Sequence, residues 1–298
     1  MAAGDDFLTP WYAPGKTYDY GQEKYSRHFE EFFGEKKPVQ KPVKKKMEPT
    51  PYAEAKPVIE TRVITDQHTP DFMGSASNVR SLARAELTAA ARRALRGEAS
   101  FSMRNEAMQP PCSAWFVEAK KNGLRDVTLV FSFLFKDSKA VLGQEFAAVI
   151  CSYMNGKTTR VILDYSNEKG FFVDEQPVTL DSWKKPAFPD PVVGLRKALL
   201  DIASVARMGT PTDWWANMFM NAAYRLDSKN CEYDKQPGLF YLPQPYFKYL
   251  MVVQETHLGM GMGSWYDLPI VGEKQFRLAT HEFEYQKCRA LLYAVNNF

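Results

Sequence analysis

Residues 145–165 read EFAAVICSYMNGKTTRVILDY, two apolar, β-branched runs on either side of Asn155 and Gly156. An Asn-Gly pair between strand-like runs marks a tight hairpin, because both residues tolerate positive φ. Asn122 and Gly123 divide AWFVEAKKNGLRDVTLVFSFLF, residues 114–135, in the same manner, and FFV after Gly170 supplies a further short strand. Together these runs predict an antiparallel β-meander of four or five strands over about 114–175. Both alternating faces of VTLVFSFLF are apolar, so the strand Val127–Phe135 is expected to be central or covered on both sides.

Helices are expected around this meander, which makes the fold class α+β. Upstream, Val79, Leu82, Ala83, Leu87, Ala90, Ala91, Ala94 and Leu95 recur at spacings of three and four, with Gly97 as a stop, and predict an amphipathic helix over about 78–96. Downstream, Asp190 is a candidate cap for a helix that begins at Pro191 and carries Val192, Leu195, Leu199, Ile202 and Val205 on one face. Asp213 is a candidate cap for a second helix, whose bulky face is read as Trp214, Trp215, Met218, Phe219, Ala222 and Leu226. The two should form a hairpin packed on the sheet. Tyr246–Val253 reads as a strand and about Thr280–Val295 as a last helix.

Residues 1–77 have a different texture. Prolines at 10, 14, 38, 42, 49, 51, 57 and 70 interrupt any long helix or central strand. Ordinary solvated linkers are poor in aromatics, yet this segment holds Trp11, Tyr12, Tyr18, Tyr20, Tyr25, Phe29, Phe32 and Phe33, the last six near a candidate short helix Gln22–Phe33. It reads as an extended arm whose aromatics bind a partner or the chain's own body. The chain thus divides into an arm (1–77), an amphipathic helix and connector (78–110) and a body (111–298).

Two basic clusters are candidate polyanion-binding sites: Lys36, Lys37, Lys41, Lys44, Lys45 and Lys46 between prolines, and Arg80, Arg84, Arg92, Arg93 and Arg96 along one flank of the helix over 78–96. Net charge is only +3, and residues 1–63 hold 11 basic against 10 acidic groups, so a nucleic-acid reading must rest on these clusters alone.

Signals for chemistry are weak. GMGMG at Gly259–Gly263 lacks the GxGxxG spacing and is followed by Pro269 and Gly272 rather than by a helix, so it reads as a structural loop. The four histidines, 28, 68, 257 and 281, are solitary, and His281 with Glu282 does not complete HExxH. There is no GxSxG, and Glu30 and Glu31 lie in the arm, a poor place for fixed geometry. Cys112, Cys151, Cys231 and Cys288 form no CxxC pair and read as reduced, mostly buried thiols of an intracellular compartment. No leader for secretion and no membrane span is recognised. No catalytic residue, cofactor or metal is assigned.

The expected function is therefore that of a non-catalytic structural or accessory subunit of a large assembly, bound to other protein subunits through the arm. An RNA-binding coat, nucleocapsid or ribonucleoprotein component is the alternative, and an enzyme of unrecognised family the second alternative.

Overall fold

A computed structural model describes residues 79–135, 138–142, 145–166, 170–178, 184–209, 213–227, 240–258, 265 and 273–298. Every described residue belongs to the unit 68–298. The arm, the candidate helix Gln22–Phe33 and the loop Gly259–Gly263 lie outside the described residues.

The class is α+β. Four strands, β1 (Leu124–Phe131), β2 (Ala147–Tyr153), β3 (Thr158–Ser166) and β4 (Gly170–Pro177), form an antiparallel sheet in sequential order. The β2–β3 hairpin turns over Met154–Gly156, where Gly156 at φ +82° takes the positive φ and Asn155 does not, with Tyr153 N–H donating to Lys157 O. Leu129, Val149, Val161 and Glu175 stand in one row across the sheet. On that face Val127, Leu129, Phe131, Val149 and Cys151 enter the main core. On the other, Val130, Ala148 and Ile150 meet Val141 and Leu142 in a small satellite core.

The segment before Asn122 is not a strand. It is helix α2, Gln109–Lys121, and Asn122 is its C-cap, with its N–H donating to Glu118 O. Pro110 and Pro111 start the helix, where a missing N–H costs nothing. Cys112, Phe116 and Ala119, spaced four and three apart, are its buried face. Gly123, at φ +85°, reverses the chain from helix into β1. Tyr246–Val253 is likewise not a strand but most of helix α6, Phe247–Glu255, which is buried almost all round. Its apolar run Tyr249–Val253 is unbroken, and its polar residues Lys248, Gln254 and Glu255 fall only at its ends, so little period is left to read. Nor is β1 central: it is an edge strand, it stops at Phe131, and Ser132–Leu134 form a 3-10 turn. The coverage expected on both its faces is present.

Helix α1, Val79–Leu95, follows its expected bounds and packs on β1 and β2. It is less amphipathic than its sequence suggests, since Arg84–Arg92 is buried on nearly every side. A short helix α3, Ser138–Leu142, covers the satellite core. Helices α4 (Val192–Gly209) and α5 (Trp214–Asp227) form the expected hairpin, but it packs chiefly on α7 and α6 rather than on the sheet. The Oδ1 of Asp190 accepts from Val192 N–H at 2.9 Å, the expected cap. The last helix, α7, begins earlier than expected and runs Glu273–Asn296. At Gly194 α4 approaches α7 so closely that a Cβ would stand 2.7 Å from Gln286 Oε1. Between α5 and α7, Trp215, Phe219, Phe276 and Phe283 close around the fully buried Trp265, whose Nε1–H donates to Thr280 Oγ1 at 2.8 Å.

The edge of β1 is closed by side chains. Asn296 Oδ1 accepts from Leu129 N–H at 3.0 Å, and Asn296 Nδ2 donates to Leu129 O at 2.9 Å. Two residues back along the strand, Arg92 Nη1 donates to Val127 O at 3.2 Å. Asn296→Ala should leave a buried N–H and C=O unpaired and lower unfolding stability by about 2–4 kcal/mol in urea titrations. Asn296→Asp should cost at least as much at pH 7, because a carboxylate cannot donate to Leu129 O. Below the carboxylate range its deficit relative to wild type should shrink, as the protonated acid regains a donor.

Candidate functional site

The described structure brings several of its ionisable groups together in small, partly buried clusters. Arg84 and Arg92, both 6% exposed, leave the surface of α1. Arg84 Nη2 meets Glu145 Oε2 at 2.9 Å. Arg92 Nη1 meets Asp126 Oδ1 at 2.9 Å, and its Nη2 donates to Phe298 O at 3.2 Å. Asp126 also accepts from Lys185 Nζ at 3.0 Å. Desolvation lowers the pKa of both guanidiniums and the facing carboxylates oppose it. Of the expected basic flank, Arg80 and Arg96 are exposed, Arg96 lies 3.6 Å from Glu98, and Arg93 stacks over the Tyr241 ring at 4.6 Å. The arm aromatics from Trp11 to Phe33 and the lysines from Lys36 to Lys46 lie outside the described residues.

A second cluster joins α2 to the sheet. Glu175 accepts from Trp115 Nε1–H at 2.8 Å, from Thr159 Oγ1–H at 2.8 Å and from the Tyr153 hydroxyl. Three neutral donors on one carboxylate are a firm tie between α2, β2, β3 and β4, and burial together with the Glu175 bond pushes the Tyr153 hydroxyl up. A third cluster fixes the start of α4: Tyr249 O–H donates to Asp190 Oδ1 at 2.6 Å, and the Tyr249 and Tyr293 rings meet at 5.1 Å.

The deepest charged pair is inside α7. Lys287 Nζ, fully buried, donates to Glu284 Oε1 at 3.0 Å and to Thr256 O at 3.0 Å, so it also bolts α7 to the end of α6. It lies 5.0 Å over the Phe283 ring. Glu284 Oε2 is buried without a hydrogen-bond partner, and desolvation raises the Glu284 carboxyl pKa against the pull of Lys287.

Cys112, Cys151 and Cys288 are free and buried, and desolvation raises each thiol, Cys112 to about 12. Such thiols stay protonated and are poor nucleophiles. Cys231, His28 and His68 lie outside the described residues. His257 and His281 are half-buried, and desolvation lowers the pKa of His281. Among the described residues no group of three or more His, Cys, Asp or Glu could hold a metal ion, and no helix is long and apolar enough to cross a membrane. Comparison with family models, with curated proteins and with solved structures finds no match for this chain.

The sequence reading missed all three clusters and the Glu284–Lys287 pair. Only the last had a local signal, the i, i+3 spacing of an acid and a lysine on one helix, and that spacing is common on solvated faces.

Lys287→Met should strand Glu284 in the interior and cost about 3–5 kcal/mol at pH 7. A carboxyl raised in the folded state makes the native protein bind more protons than the unfolded one, so stability falls as pH rises through that window. The Lys287→Met deficit should therefore widen upward from the ordinary carboxylate range. Adding Glu284→Leu should remove this slope and recover most of the loss, as read by denaturation at a series of pH values.

Proposed function

We propose that the protein is a non-catalytic structural or accessory subunit of a large macromolecular assembly, held to neighbouring protein subunits by residues 1–77. The observation that carries this reading is the arm's composition: it holds eight prolines, six of them after Phe33, together with Trp11, Tyr12, Tyr18, Tyr20, Tyr25, Phe29, Phe32 and Phe33. Proline keeps a segment extended, and large aromatics gain free energy when a partner's surface covers them. A body whose elements are tied by Glu175, Arg92, Lys287 and Asn296 supports it as a stiff anchor. The free thiols fit an intracellular, reducing compartment.

The RNA-binding alternative rests on Lys36–Lys46 and on Arg80, Arg93 and Arg96, because Arg84 and Arg92 are committed to Glu145 and Asp126. Replacing Trp11, Tyr12, Phe29 and Phe32 together by Ser in the full-length chain should release it from its native particle without shifting the melting temperature of the body. Nuclease treatment should leave the particle's mass and A260/A280 ratio unchanged. Retention of the substituted chain in the particle would end the arm reading, and collapse of the particle under nuclease would transfer the function to RNA.

A further inference from the structure

An asparagine side chain can close a ring on the next backbone nitrogen when the following residue is small and the side-chain amide is folded toward that nitrogen. At Asn122 the following residue is Gly123, but Asn122 Nδ2 donates to Glu118 Oε1 at 3.2 Å, which draws the amide one turn back along α2. Asn105 has its amide folded forward, with Oδ1 accepting from Ala107 N–H at 3.1 Å, but Glu106 follows it. Asn155 meets both conditions. Its Oδ1 accepts from Lys157 N–H at 3.0 Å, and the residue between them is Gly156. The ring closed by that hydrogen bond contains the Gly156 nitrogen, so it folds Asn155 Cγ back toward that atom.

We propose that Asn155 is a site of spontaneous covalent modification, deamidation to aspartate and isoaspartate. The Gly156 nitrogen gives up its proton and attacks Asn155 Cγ. A Cγ–N bond forms, the Cγ–Nδ2 bond breaks, and Nδ2 leaves as ammonia, which gives a cyclic imide. Water then opens the imide at either carbonyl. The net change is one water in and one ammonia out, with no oxidation. The Lys157 N–H that holds the amide also donates to the oxygen on which negative charge builds during the attack. Met154, Asn155, Gly156 and Lys157 are all exposed, so water reaches the imide and ammonia escapes. Gly156 N–H donates to Tyr153 O at 3.0 Å and must first be released. Gly123 N–H is held in the same way by Lys120 O at 3.1 Å, so this cost does not separate the two Asn-Gly sites.

Both products put a carboxylate into the turn and lower the net charge of +3 by one. Isoaspartate also adds a methylene to the main chain between Tyr153 and Lys157, whose N–H and C=O are paired. The reaction runs once and without an enzyme, so its extent records how long a copy of the chain has been folded. It concerns the body and is independent of the arm reading: the arm substitutions given above should leave it unchanged.

The test is to age the full-length chain in mildly alkaline buffer, folded and in denaturant, and to follow each asparagine by mass spectrometry of digests. Isoaspartate is counted separately by enzymatic methylation. In the folded chain Asn155 should convert at least about tenfold faster than Asn122 or Asn105, the advantage of a side chain already placed for attack. In denaturant Asn122 should rise to the rate of Asn155, while Asn105 stays slow because Glu106 still follows it. Asn155→Gln, whose longer side chain closes such a ring poorly, should remove nearly all isoaspartate from the folded chain. The proposal is overturned if Asn122 keeps pace with Asn155 in the folded chain, or if isoaspartate survives Asn155→Gln. It is equally overturned if Asn155 stays intact in the folded chain for the time in which denaturant converts half of it.

Discussion

The open edge of β1 is the constraint on which this architecture turns. A four-stranded meander has two edges, and in most sheets an edge strand is polar, short or exposed. Here the edge strand is buried on both faces from Val127 to Phe131, so its outward N–H and C=O groups there cannot turn to water. Asn296 supplies the two hydrogen bonds of a missing strand at Leu129, and Arg92 supplies one at Val127. Helices α1 and α7 must therefore flank β1 at fixed heights. Once α7 is fixed, α4 at Gly194 and α6 at Thr256 are positioned against it.

Much of this could be read in the sequence where local chemistry and global fold agree. Asn155 and Gly156 turn a hairpin because β-branched runs flank them, and Asp190 caps α4 because apolar periodicity follows it. Asn122 and Gly123 show the same dipeptide ending a helix. What distinguishes the two sites is the preceding octet, in which Cys112, Phe116 and Ala119 repeat at helical spacing after two prolines. For α6, a run of consecutive apolar residues offers no period, and burial by neighbours on every side is a tertiary fact.

The polar clusters were illegible for a different reason. Arg84 and Arg92 repeat at multiples of four on a helix, a pattern shared by solvated stripes and by buried anchors. What separates them is the presence of Glu145 and Asp126, 61 and 34 residues away in sequence. Asn296 near the end of α7 is an unremarkable amide until β1 is seen beside it. Trp214 failed in the opposite sense: it reads as core by its bulk, yet it is 52% exposed while its neighbour Trp215 is buried.

The bond between Leu129 and Asn296 spans 167 residues of chain. At roughly 5–20 residues per second, a ribosome that has finished β1 needs on the order of 10–30 s more before Asn296 exists. For that interval Arg92 is already at hand for Val127 O, but Leu129 lacks the amide that pairs its N–H and C=O. Closure of the β1 edge thus waits on the last helix, and the pace of synthesis sets how long Leu129 stays unpaired.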